Sequence, residues 1–145
     1  VKIYRDYYET KGQLEAHLYD GIKEILQQLS QDPSKKIFIT TSKNEPIALE
    51  MCKHLGITEY FDGIYGSTPT AFHKADVLQR AITENQAPKD QSVIVGDTKF
   101  DLIGGKTVGI KTIAVTWGFG KNETLLAENP DFIADTTQEL RDILK

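Results

Sequence analysis

Residues 92–101 read SVIVGDTKFD, and this stretch decides the fold. Ser92 to Gly96 is a short apolar run bounded by polar residues, which predicts a strand buried on both faces. Lys99–Val108 follows as a short predicted helix, and Gly109 ends it. Similar apolar runs alternate with segments of helical period along the chain, a pattern typical of α/β proteins. The sequence therefore predicts a doubly wound, Rossmann-like parallel sheet with helices on both faces.

The remaining elements are predicted from spacing and end signals. Residues 1–11 carry Ile3, Tyr4, Tyr7 and Tyr8 at helical spacing, which predicts the end of a helix. Further strands are predicted at 36–41, 61–66, 111–116 and 131–134, and further helices after Asp20, from Asn44-Glu-Pro46, over 74–86 and after the capping box Thr136-x-x-Glu139.

Composition bounds the class of protein. The chain has 145 residues, about one domain, with 39 % apolar and 26 % charged residues. No apolar run is long enough to cross a bilayer, and a net charge of −4 gives no electrostatic reason to expect nucleic acid or a membrane as partner. The one cysteine, Cys52, lies among apolar helix residues and is predicted to belong to the core. A reducing, cytoplasmic compartment fits this cysteine content.

The end of the 92–96 strand offers the strongest candidate site. Asp97 follows the strand directly, and Asp101 lies in the first turn of the next helix, so both carboxylates can face one point. Carboxylate oxygens are ligands that Mg²⁺ prefers, which makes Asp97 and Asp101 candidate metal ligands. The alternative is that Asp97 is a turn residue and Asp101 caps the helix.

Two further places in the sequence are candidates for binding phosphate. Thr41 and Ser42 end the 36–41 strand just before a helix, where hydroxyl groups and backbone N–H groups suit an anion, although Ser42 could simply cap that helix. Lys74 begins the 74–86 helix, where its ammonium could neutralise phosphate or carboxylate charge. The alternative for Lys74 is a solvated surface charge.

The order of these motifs, with the sequence around them, resembles the haloacid dehalogenase superfamily, and in particular its phosphoglycolate-phosphatase-like branch. The segments that carry the resemblance are ITTSKNEPIALEMCKHLGITEYFDGIYGS, HKADVL, VIVGDTKFDLIGGKTVGIKTIAVTWGFG and PDFIADTTQEL. They cover the chain from about Tyr19 to its end.

The resemblance implies a role for each matching residue. Thr41 matches the hydroxyl that binds the transferring phosphoryl group, with Ser42 in support, and Lys74 matches the lysine that balances charge. Asp97 matches a direct Mg²⁺ ligand, and Asp101 matches the second acid of the same motif. Around Lys74, His-Lys-Ala-Asp stands where the family commonly has Lys-Pro-x-Pro.

The family's first motif, Asp-x-Asp-Gly-Thr on the central first strand, is absent from this sequence. The resemblance therefore implies a partial core over residues 19–145 that lacks its central strand, and a remnant of a helical cap domain over residues 1–18. Because the vacant position would leave two strand edges unpaired, we expect a longer parent protein, a strand-completing partner chain or a homo-oligomer to fill it.

The expected function is Mg²⁺-dependent hydrolysis of a small phosphorylated metabolite through an aspartyl-phosphate in the parent protein. This chain lacks the nucleophile and is expected to be inactive alone. Two alternatives remain: a non-catalytic phosphate-binding, metal-binding or regulatory module, and a receiver-like signalling domain. A receiver-like domain would require a cluster of acidic residues after a strand near the N-terminus. Residues 1–12 do not have this pattern.

Overall fold

A computed structural model describes residues 2–6, 21–71, 73–117 and 122–144, with the backbone alone for residues 2–6, Ile22, Ser42 and Leu55. Asp20, the loop at 118–120 and most of the predicted cap remnant lie outside these ranges. The strands are β1 Lys2–Asp6, β2 Lys36–Asn44, β3 Gly63–Ser67, β4 Ser92–Gly96, β5 Lys111–Val115 and β6 Phe132–Ala134. The helices are α1 Ile22–Ser30, α2 Glu45–Leu55, α3 Lys74–Glu84, α4 Lys99–Val108, α5 Asn122–Leu126 and α6 Thr137–Leu144.

The six strands form one parallel sheet in the order β3-β2-β1-β4-β5-β6. The chain reverses its direction of travel across the sheet beside β1, which makes this the switch point where doubly wound folds bind ligands. The predicted doubly wound α/β fold is confirmed.

Along each strand, consecutive apolar residues belong alternately to two hydrophobic cores, one on each face of the sheet. On one face, α1, α2 and α6 cover odd-numbered strand residues such as Ile39, Val95 and Ile113. On the other face, α3 and α4 cover Phe38 and Ile94. Both faces of the sheet are therefore buried, as the continuous apolar run of β4 predicted.

The central position of the sheet is where the structure differs from the sequence analysis. We predicted a helix over residues 1–11 and a vacancy between β2 and β4, but Lys2–Asp6 is a strand that pairs in parallel with both neighbours. Two facing strand edges have many unpaired N–H and C=O groups, and an extended segment that pairs with both satisfies them. The need of these two strand edges for backbone hydrogen-bond partners outweighs the helical spacing of residues 1–11. Residues 2–6 therefore belong to the core sheet and not to a cap remnant, and the assignment of the other residues of 1–18 to a cap remains a prediction.

Most predicted element boundaries lie close to those of the structure. β2 continues to Asn44, three residues beyond the predicted Thr41, and β3 begins at Gly63. The Thr136 hydroxyl accepts a hydrogen bond from the Glu139 N–H at the start of α6, which is one of the two bonds of the predicted capping box. The Glu139 carboxylate accepts from the Asp135 N–H. No helix in the described part of the chain is long and apolar enough to cross a membrane.

Removal of residues 1–6 tests the role of β1. We expect the truncated chain to unfold at lower urea concentration and to associate, because the facing edges of β2 and β4 lose their partner. Urea unfolding and size-exclusion chromatography measure both effects. A truncated chain that is monomeric and as stable as the 145-residue chain would contradict the pairing of β1 and favour a cap remnant that lies outside the sheet.

Candidate phosphate-binding site

The strand register places the two main candidate motifs on either side of β1. Ile39 of β2 and Val95 of β4 both pair with Arg5, so they lie level across the central strand. Thr41 lies two residues beyond Ile39, and Asp97 lies two residues beyond Val95. Thr41 and Asp97 therefore both lie toward the carboxyl edge of the sheet, on either side of β1, where doubly wound folds bind ligands.

Thr41 and Ser42 lie in an irregular part of β2. Thr40 pairs with Tyr65 and Asn44 pairs with Ser67, so three residues of β2 stand opposite Gly66 alone. We call residues 41–43 the β2 bulge. The Thr41 side chain is buried, and its hydroxyl oxygen accepts a hydrogen bond from the Lys43 N–H at 3.1 Å. The backbone of Ser42 lies within this bulge, and Asn44 is the N-cap of α2, so the interpretation of Ser42 as the helix cap is wrong.

Lys74 is the first residue of α3 and lies against α4. Its ammonium nitrogen is 2.8 Å from Oδ1 of Asp101, and the two side chains are only 11 % and 1 % exposed. The interpretation of Lys74 as a solvated surface charge is therefore wrong. A buried ion pair of this kind fixes both groups, since the departure of either one would leave the other as an unpaired buried charge.

Asp101 also caps its own helix. Its Oδ2 accepts hydrogen bonds from the backbone N–H of Thr98 at 3.1 Å and from the Thr98 hydroxyl at 3.0 Å. The capping alternative for Asp101 therefore holds, alongside the ion pair. Both carboxylate oxygens have partners, so Asp101 fixes Lys74 in place over the end of β4.

Two glycines permit these contacts. A Cβ on Gly96 would lie 2.1 Å from Cβ and 2.4 Å from Cγ of Asp101, so a side chain at position 96 would occupy the place of Asp101. A Cβ on Gly104 would lie 3.3 Å from Cγ of Lys74 and 3.6 Å from the Ala75 nitrogen. Glycine at both positions brings α4 close to β4 and to α3.

The residues present give a partial fit to Mg²⁺. Asp97 is 8 % exposed and lies at the end of β4. Among the described residues, no group of three or more histidine, cysteine, aspartate or glutamate side chains could hold a metal. Mg²⁺ is often held by one or two carboxylates together with water and substrate phosphates, which suits a site with few protein ligands. Both oxygens of Asp101 contact Lys74 or Thr98, and Asp97 remains a candidate ligand at the end of β4.

Cys52 belongs to the core beneath α2, as predicted. Its side chain is 5 % exposed, and burial raises the pKa of the thiol to about 11. At neutral pH the thiol therefore stays protonated, and protonated thiols are poor nucleophiles.

Sequence reasoning missed the partner of Lys74 and the pairing of β1. The capping box at Thr98-x-x-Asp101 has a recognisable pattern, a threonine followed three residues later by an acid. The ion pair between Lys74 and Asp101 has no such signal, because the two residues are brought together by the packing of α3 on α4.

Comparisons with known proteins show the family of this chain. Residues 1–115 match the family model described as haloacid dehalogenase-like hydrolase. The chain is 28 % identical over 145 residues to a phosphoglycolate phosphatase of Vibrio parahaemolyticus, covering 99 % of this chain and 63 % of the relative. A 5'-nucleotidase of Pseudomonas aeruginosa is 29 % identical over 147 residues, covering 100 % of this chain and 66 % of the relative.

A solved structure from the same family has a similar fold. The haloacid dehalogenase-like family hydrolase from Streptococcus pneumoniae superposes with a TM-score of 0.88 at 44 % identity, covering 93 % of this chain and 63 % of that one. The chain thus spans about two thirds of the length of the relatives that it matches. The family model covers more than half of the chain, and the chain belongs to the haloacid dehalogenase-like hydrolase family.

Proposed function

We propose that this chain is the phosphate-binding and metal-binding part of a phosphomonoester hydrolase. The observation that carries the proposal is the buried ion pair between Lys74 and Asp101 beside Asp97, at the switch point of the sheet. A buried, oriented ammonium at a carboxyl edge suits a dianionic phosphate. Relatives named phosphoglycolate phosphatase and 5'-nucleotidase support a small phosphorylated metabolite as the substrate class.

Each residue has a role in this proposal. The Thr41 hydroxyl donates a hydrogen bond to a phosphoryl oxygen, supported by Ser42 and the backbone N–H groups of the β2 bulge. Lys74, held by Asp101, offsets the negative charge of the transferring group. Asp97 would hold Mg²⁺, with Asp101 nearby as the second acid. When bound, Mg²⁺ neutralises part of the phosphate charge.

The nucleophile of the proposed reaction is not among these residues. Transfer to an aspartate, followed by hydrolysis of the aspartyl-phosphate, requires the Asp-x-Asp-Gly-Thr motif that this sequence lacks. Because β1 already occupies the position between β2 and β4, we propose that the nucleophile comes from a longer cytoplasmic parent protein, or from another chain or a second copy that reaches the carboxyl edge of the sheet. The same absence favours the second candidate function, a non-catalytic phosphate-binding, metal-binding or regulatory module.

Hydrolysis of p-nitrophenyl phosphate, with and without Mg²⁺, distinguishes the two functions. We expect the full-length gene product to be active only with Mg²⁺ and the 145-residue chain to be inactive. Asp97→Asn and Thr41→Val in the full-length protein are each expected to lower kcat/KM at least about a hundredfold. Thr107→Val is the matched control, because the Thr107 hydroxyl is exposed and donates to the Ile103 carbonyl of its own helix.

Activity of the 145-residue chain alone would contradict the need for a separate nucleophile. If the full-length protein is inactive but still binds Mg²⁺, the hydrolase proposal fails and the binding-module function takes its place.

A further inference from the structure

An ion-pair cluster lies behind the β2 bulge, on the side of the sheet edge formed by β3. Arg80 of α3 forms an ion pair with Glu45, the first residue of α2, and its Nε is 3.7 Å from a carboxylate oxygen of Glu84. The Arg80 guanidinium also lies over the Tyr65 ring, 4.9 Å from the ring centroid. These contacts join α2, α3 and β3 at one point.

Glu45 connects this cluster to the bulge. The same carboxylate oxygen that pairs with Arg80 accepts a hydrogen bond from the Gly66 N–H at 3.2 Å. Gly66 is the residue of β3 that stands opposite the bulge. Glu45 follows the bulge by two residues, so its contacts with Arg80 and Gly66 fix one end of the bulge against β3.

The backbone at Gly66 leaves little room for the bulge to move toward β3. A Cβ on Gly66 would lie 2.6 Å from the Lys43 carbonyl oxygen and 2.5 Å from the Glu45 Cα. The strand of β3 is therefore in close contact with the end of the bulge. β3 therefore lies against the Lys43 end of the bulge, and Arg80 holds Glu45, two residues after the bulge.

We infer that Arg80 is a positioning residue for phosphate: acting through Glu45, it sets the conformation of the β2 bulge that presents Thr41 and Ser42. This inference deepens the proposed function and rests on it. Arg80 and Lys74 both belong to α3, so one helix would supply the charge that meets phosphate and hold the loop that binds it. Removal of the arginine leaves Thr41 and Lys74 in the sequence but lets the bulge adopt other conformations.

The test is binding of inorganic phosphate to the 145-residue chain in the presence of Mg²⁺, by isothermal titration calorimetry. Arg80→Met keeps the aliphatic stem and removes the charge, and Glu45→Gln keeps an acceptor for Gly66 while removing the ion pair. Each is expected to weaken phosphate binding about tenfold, and the double variant by less than the product of the two, because both act through one contact. Arg141→Met, on α6, is the matched control and should bind phosphate as the unsubstituted chain does.

Amide hydrogen exchange gives a readout that a general loss of stability would not reproduce. In Arg80→Met, faster exchange is expected at residues 41–43 with the exchange of β4 unchanged. If the unsubstituted chain binds phosphate and Arg80→Met binds it equally well, the inference is overturned while the proposed function stands. If the unsubstituted chain binds no phosphate, the proposed function fails, and the inference falls with it.

Discussion

Replacement of Lys74 by methionine is expected to lower the free energy of unfolding by about 3 kcal/mol, because it leaves the Asp101 carboxylate buried without its cation. Asp101 is 1 % exposed and cannot reach water without moving α4 away from β4. Urea unfolding of the 145-residue chain measures this loss. In the full-length protein, we expect the same variant to lower kcat/KM for p-nitrophenyl phosphate at least about a hundredfold.

A double-mutant cycle separates the ion pair from other effects of the substitution. Asp101→Asn keeps an oxygen that can accept from Thr98 but removes the charge, so adding it to Lys74→Met should recover part of the lost stability. A coupling energy above about 1 kcal/mol is expected for two residues in direct contact. Additive effects would show that Lys74 and Asp101 do not depend on each other.

Lys99 provides the control for loss of a positive charge at the same edge of the sheet. It begins α4, is exposed and lies 5.3 Å from the ring centroid of Phe100. Lys99→Met also removes one positive charge, but it leaves no buried carboxylate without its cation. We expect it to change the free energy of unfolding by less than about 0.5 kcal/mol.

The sequence predicts features that depend on neighbouring residues. The apolar run of β4 followed by Asp97 and Asp101 indicates a buried strand, a turn and a helix, and the structure has all three. The place of Thr41 near the carboxyl end of β2 follows from the same reasoning, because the carboxyl ends of parallel strands share one edge. In these cases local spacing and burial favour the same structure.

Features that depend on distant residues could not be predicted in this way. The helical spacing of Ile3, Tyr4, Tyr7 and Tyr8 is a local signal, whereas the demand for a strand between β2 and β4 arises only after the sheet has formed. Isoleucine and tyrosine are also favoured in strands, so Lys2–Asp6 meets that demand at little cost. The contact between Lys74 and Asp101 likewise requires α3 and α4 to pack together, although β4 lies between them in the sequence.

Gly96 shows how closely the candidate site depends on this packing. Gly96→Ala is expected to destabilise the fold by about 3 kcal/mol or to prevent the accumulation of soluble protein. The new Cβ would need to share the space of Asp101, 2.1 Å from its Cβ, and β4 is buried throughout and cannot move aside. Relief requires α4 to shift, which separates Asp101 from Lys74.

Gly56→Ala is the matched control for this substitution. Gly56 ends α2 with a φ of 71°, and no atom lies within 4 Å of the position of its Cβ. Alanine there encounters backbone strain alone, about 1 kcal/mol. Thermal and urea unfolding of the two variants compare a steric clash with a purely conformational cost. A Gly96→Ala variant as stable as Gly56→Ala, with phosphate binding intact, would show that α4 can move without disturbing the site, and the role assigned to the Lys74–Asp101 pair would then be wrong.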